Sequence, residues 1–159
     1  MINKFNFIKR ILSATLITLC VAQYAFAGND STDRQTIFNA INAFRAEHGL
    51  SKLTLNETIS RVAEQHSQDM ADHATPFGHE GFGGRVRTLF RDFKHPRGAA
   101  ENVAFIYKHT DEVVDMWLNS SGHRRNIEGN FNLTGIGIAH DQHGRVYVTQ
   151  IFIRANDKG

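Results

Sequence analysis

Cysteine is almost absent from this chain. Of 159 residues only Cys20 carries a thiol, so no disulfide can form within the chain and no cluster of thiolate metal ligands can be built. Only two prolines occur, both in loop-like segments, and no internal repeat, low-complexity tract or linker divides the sequence. Two hydrolase signatures are missing as well. The stretch "HEGFG" lacks the second histidine of an H-E-x-x-H metalloprotease helix, and no G-x-S-x-G nucleophile elbow occurs. The apolar run from Ile11 to Val21 is shorter than the ~20 residues that a membrane-spanning helix needs.

That run has the marks of an export signal instead. Lys4, Lys9 and Arg10 precede it and Ala25-Phe26-Ala27 supplies small residues at a cleavage site. Residues 1–27 are therefore read as a signal peptide and 28–159 as one domain. Cleavage removes Cys20 and three of the 18 basic residues but none of the 16 acidic ones, which moves the formal charge from +2 to −1 with histidine neutral. The remaining basic residues form no clustered face, so no nucleic-acid partner is expected. Arg85/Arg87 and Arg124/Arg125 read as solvated surface pairs. The expected product is an exported protein, secreted or periplasmic: a monomer with no transmembrane segment, held together by packing alone.

Hydrophobic spacing organises what is left. Ile37, Phe38, Ile41 and Phe44 mark a helix from Arg34 to His48, capped within Ser31 to Asp33 and ended by Gly49. A second helix, Glu57 to His73, has Asn56 as its cap and an inward stripe of Ile59, Val62, Ala63, His66 and Met70. Thr75 to Gly84 reads as a glycine-rich loop, "RVRTLFRDF" as a third helix with Val86, Leu89, Phe90 and Phe93 on one face, and "HPRGAA" as a second loop. "ENVAFIY" is β-friendly, and Thr110 or Asp111 caps a helix whose Val113, Val114 and Trp117 face inward. "TGIGIAH" and "RVYVTQIFIR" are strands joined by a "DQHG" turn, the second apolar on both faces and so central. The expected class is α+β, with helices packed on an antiparallel sheet.

Histidine is the surplus: nine residues, none of them in the leader, and few side chains are better suited to proton transfer or metal binding near neutral pH. His66 lies on an apolar stripe and reads as a core or cleft-edge residue. His48, His73, His95, His109, His140 and His143 fall at helix ends or turns and read as surface or capping groups. His79 in "PFGHEGFGG" and His123 in "SSGHRRN" each occupy a glycine-bearing loop beside a helix, where functional side chains concentrate.

Taken in order, "QHSQDMA", "FGH", "AENVAF", "VVDMWLNSSGHRRNI", "GIGIA" and "VYVTQIF" resemble the bacterial branch of the CAP superfamily, the cysteine-rich secretory, antigen 5 and pathogenesis-related type or SCP-like domains, over about Thr36 to Phe152. The resemblance implies an α-β-α sandwich with helices flanking a central antiparallel sheet, and a cleft where two histidines and acidic residues meet. It maps the first cleft histidine onto His79, the glutamate onto Glu101 and the second histidine onto His123. Ala100 stands where a glycine commonly precedes that glutamate. Leu118 to Ser121 holds no acid where many eukaryotic members carry one, and nearby Glu112 and Asp115 read as solvent-facing.

A cleft of this composition is expected to serve a binding or interaction module for a lipid, a peptide or a cell-envelope ligand. His79 and His123 are the candidate metal ligands for a weakly held, exchangeable zinc, with Glu101 orienting one ring. Two alternatives stand beside this. One is a metal- or histidine-dependent hydrolase with His79 or His123 as general base, Glu101 orienting it, and a metal-bound water or a serine, Ser120 and Ser121 being the nearest, as nucleophile. The other is a structural or host-interaction protein whose histidines only brace loops. Phe77, Phe82 and Phe105 fall in or beside the cleft loops and would give it an apolar wall.

Overall fold

Strand β4 (Val146–Asp157) presents apolar side chains on both faces, and both are covered. Val146, Val148 and Phe152 enter one core cluster, whereas Ile151, Ile153 and Ala155 enter another. This is the period of two expected of a strand between two layers. The computed structural model describes residues 30–107, 109–110 and 112–157, of which those from Asp33 onward cluster as one unit. The expected leader and its cleavage point lie outside the described residues.

In chain order the elements are helix α1 (30–47), β1 (Thr54–Leu55), α2 (Glu57–Ala71), α3 (Phe82–Phe90), β2 (Phe93–Ile106), α4 (Glu112–Leu118), α5 (Ser121–Ile127), β3 (Leu133–His140) and β4. The sheet order is β1-β3-β4-β2. Pairing is antiparallel except for β1, which joins β3 in parallel. Two residues offer no period to read, so β1 is an addition to the expected sheet.

Ile37 and Ile41 of α1, Val113, Val114 and Trp117 of α4, and Ile127 of α5 share the first core cluster. Ile59 and Ala63 of α2 and Leu89 of α3 share the second. The layers are therefore those of the expected α-β-α sandwich. Contact between α2 and β3 is close enough to exclude side chains: a Cβ at Gly135 or Gly137 would overlap the α2 backbone at Ile59–Ser60 or Ala63–Glu64. "TGIGIAH" thus alternates glycine, which admits the helix, with Ile136 and Ile138, which fill the opposite core.

Several local expectations need correction. Helix α1 already includes Ser31 to Asp33, so these are not its cap; Asn56 does cap α2, accepting from the Ile59 N–H at 3.1 Å. The glycine loop ends at Gly81, and Phe82 opens α3. Phe93 is buried as the first residue of β2 rather than on α3, because a three- or four-residue spacing cannot distinguish a helix face from a helix end followed by a strand. "HPRGAA" is strand, not loop. The β2/β4 register shifts between Lys94 and Gly98, and Pro96 is tolerated in that irregular stretch, where it interrupts no regular ladder. His123 lies on a short helix rather than in a loop: fully buried Ile127 anchors α5, and Arg124 reaches Glu128 at 2.8 Å.

Candidate functional site

The site begins with two adjacent residues of β2, Glu101 and Asn102, whose side chains point to opposite faces because strand side chains alternate. The Glu101 side chain is 1% exposed. A carboxylate removed from water this completely requires a charged, hydrogen-bonded partner. Arg85 of α3 supplies it in a two-pronged pair, Nε donating to Oε2 at 2.8 Å and Nη2 to Oε1 at 2.7 Å. His79 adds a third bond, Nδ1 donating to Oε1 at 3.0 Å. In the neutral ring this leaves Nε2 as the unprotonated nitrogen of His79.

The loop carrying His79 is held from below. Gly78 has φ +140°, a conformation that L side chains rarely adopt, and its carbonyl accepts from His66 Nε2 at 2.8 Å. His66 is buried on α2 as its stripe position implies. Burial lowers its pKa, with the carbonyl bond acting in the other direction. Arg85 also donates from Nη1 to the Glu80 carbonyl at 2.7 Å, so one guanidinium fixes both the loop and the carboxylate that the loop faces.

Asn102, fully buried, builds the opposite wall. Its Nδ2 donates to the His123 carbonyl at 3.2 Å, and its Oδ1 accepts from Asn126 Nδ2 at 2.9 Å. Asn126 also donates to the Glu101 carbonyl at 3.1 Å, and Trp117 Nε1 to the Val103 carbonyl at 3.4 Å. Buried Arg45 closes the far end of α5 by donating from Nη1 to the carbonyls of Ile127 and Gly129 at 2.5 and 2.9 Å. Desolvation lowers the Arg45 pKa, and the negative end of the helix dipole favours the cation there. Among the described residues, none partners the buried Nδ1 of His123. Burial lowers the His123 pKa first, and electrostatic interaction with His79 lowers it further.

Both histidines line one cleft of about 930 Å³, together with Phe77, Phe105, Tyr107, Met116 and Trp117. Phe77 and Phe105 meet edge to face at 5.0 Å, and Phe105 meets Tyr107 at 6.1 Å. Glu101 sits behind His79 rather than in the lining. His109 and Glu112 are exposed, as expected, and also line the cleft, whereas Phe82 is not in its lining. Ala100 is not at positive φ, so its methyl group replaces glycine without backbone strain. Among the described residues no hydrogen bond joins Ser120 or Ser121 to a histidine, and no group of three or more His, Cys, Asp or Glu is placed to hold a metal ion.

Arg85 and Arg45 are the working residues that pattern reading misses. Arg85 lies four residues before buried Leu89, and Arg45 four after buried Ile41. A charge on an apolar stripe is the available signal.

A family model described as "CAP: Cysteine-rich secretory protein family" matches residues 38–152. The uncharacterized protein YkwD of Bacillus subtilis (strain 168) is 36% identical over 125 residues, 77% of this chain and 48% of that protein. An extracellular protein containing a SCP domain from Bacillus anthracis str. Ames has a solved structure with TM-score 0.63 and 33% identity, covering 79% of this chain and 41% of that one. An outer surface protein from Borrelia burgdorferi shares the fold, with TM-score 0.68 and 19% identity over 79% of this chain and 94% of that one. The chain thus spans about half the length of the curated relative.

Replacing Arg85 by methionine would leave the Glu101 carboxylate buried without its cation, at an expected cost of about 3–5 kcal/mol in denaturant unfolding. Adding Glu101→Gln to Arg85→Met should recover most of that loss. A cost below ~1 kcal/mol, the scale of an exposed ion pair, would show that the network does not hold the loop.

Proposed function

This chain belongs to the cysteine-rich secretory protein (CAP) family, and on that premise we propose that it is an exported binding module whose cleft takes an apolar ligand beside His79 and His123. One observation carries the reading. Among the described residues, the large hydrophobic side chains left exposed are Phe77 (50%), Phe105 (37%), Tyr107 (64%) and Met116 (47%), and all four line this cleft. Scattered apolar residues on a surface need no explanation, but convergence of all of them on one concavity marks a contact site. His79 and His123 give that cleft its polar end, and Glu101, bound on both oxygens, acts through His79. Export is supported by the leader pattern and by the relative from B. anthracis, itself an extracellular protein. Among the described residues no helix is long and apolar enough to cross a membrane.

A weak, exchangeable zinc is a second property we propose for the two imidazoles. His79 through Nε2, and His123, supply two nitrogen donors where catalytic zinc sites use three protein ligands, and Arg85 already engages both oxygens of Glu101. This donor set suits a transient ion rather than a resident catalytic one, and ligand binding in the cleft requires no metal. Because the His123 pKa lies below its ordinary value, protonation competes with metal only as pH falls below ~6.5.

Trp117 is the only tryptophan in the chain and lines the cleft, so its fluorescence reports occupancy. Laurate or a pool of capped heptapeptides alternating threonine with leucine, phenylalanine or valine is expected to change it saturably. Phe77→Ala should weaken the tighter probe about fivefold, since contact would bury the exposed half of a side chain worth ~1.5–3 kcal/mol in full. No saturable change with either probe would end the binding reading. Calorimetric titration with zinc at neutral pH should show weak binding that His79→Ala or His123→Ala removes. Heats unaltered by both substitutions would end the zinc proposal.

A further inference from the structure

The lining of the cleft contains Val103, Ala104, Phe105, Ile106 and Tyr107 in succession. Neighbouring residues of a strand point to opposite faces, so a cavity that touches the last four residues of β2 in a row approaches the strand along its edge. β2 is that edge: it pairs with β4 on one side, and among the described residues no strand pairs with the other.

Register decides which backbone groups look outward. The carbonyls of Asn132 and Thr134 accept from the Thr54 and Asn56 N–H groups at 2.8 Å, so even-numbered β3 residues turn toward β1 and odd-numbered ones toward β4. The β3/β4 pairs Gly135↔Ile151 and Gly137↔Thr149 then direct odd-numbered β4 residues toward β3, and Val148 and Gln150 toward β2. Their partners are Ala104 and Asn102. Glu101, Val103 and Phe105 are left with N–H and C=O aimed away from the sheet. Two of these carbonyls are the ones that Asn126 and Trp117 engage from outside the sheet. No described residue pairs with the N–H or C=O of Phe105.

We propose that the ligand of this cleft is an extended peptide, which adds along β2 as a fifth strand; the proposal rests on the cleft reading above and names its ligand class. The main-chain groups of Phe105 supply the strand hydrogen bonds. Phe77 and Phe105 receive the side chains on one face of the peptide, and Met116 and Trp117 those on the other. This is β-augmentation: the backbone gives affinity and alternate pockets give specificity. An acyl chain would fill the same apolar walls, yet it would leave the Phe105 N–H and C=O dehydrated and without partners, which is unfavourable.

The test uses the tightest heptapeptide from the alternating pool, read by Trp117 fluorescence. Two derivatives are compared with it, one N-methylated at the odd amides and one at the even amides. Strand addition presents alternate amides to β2, so one derivative should lose at least tenfold in affinity and the other should bind within about threefold of the parent. Equal losses, or no loss in either, would overturn the peptide strand. Phe105→Pro, which removes the outward N–H at an edge position where proline is tolerated, should weaken the peptide at least fivefold beyond Phe105→Ala while changing laurate equally in the two variants. Saturable laurate binding with no peptide binding would overturn this inference and leave the cleft reading intact; failure of both probes would remove both. A dimer that forms at the working concentration and is displaced by no peptide would make a second copy the occupant and overturn the proposal as well.

Discussion

The Glu101 carboxylate is the constraint from which the rest of the site follows. Its side chain is almost wholly removed from water, and an anion in that position is tolerated only when its partners are brought to it. Meeting that demand draws Arg85 and helix α3 against the sheet and sets the loop of His79 over the strand. The main chain of the same residue holds the other wall, since its carbonyl accepts from Asn126 of α5. Both histidine-bearing segments are thereby indexed to one position of β2, although they come from opposite layers of the sandwich.

Strand alternation converts this local demand into a cleft. Glu101 faces the α2 and α3 layer and Asn102 the α1, α4 and α5 layer, so each braces a different wall. Because β2 is the edge strand, no further strand among the described residues stands between the two walls. The cleft therefore combines apolar walls, two imidazoles and the outward main-chain N–H and C=O of Phe105. On the other side of the sheet the glycines of β3 let α2 settle directly on the strands, which fixes His66 and, through the Gly78 carbonyl, the base of the His79 loop. That hydrogen bond connects the α2 packing to the geometry within the cleft.

Much of this is legible in the residues and some is not, for physical reasons. The β3/β4 hairpin and α2 are plain because their periods run unbroken and their turn and cap residues, "DQHG" and Asn56, agree with them. The first half of β2 is hidden because Pro96 and Gly98 read as loop punctuation, and only a register break lets a strand pass through them. Helix α5 is hidden because seven residues with Gly122 near the start carry too little pattern to count. His79, Glu101 and His123 are located by resemblance, and geometry adds how they are related: two of them hydrogen-bond directly, whereas the third lines the same cleft from the opposite layer. Arg85 and Arg45 stay hidden because a charge at a stripe position reads as surface, when burial with saturating acceptors is the other solution.

At Phe105 the edge strand β2 offers its main-chain N–H and C=O to the cleft without a partner among the described residues, and amide hydrogen exchange in the free protein measures that directly. The Ala104 and Ile106 amides, bonded to β4, should be protected, and the Phe105 amide between them should exchange at least tenfold faster. Uniform protection from Asn102 through Ile106 would mean instead that the outward groups of β2 already have partners and that no strand can be added there.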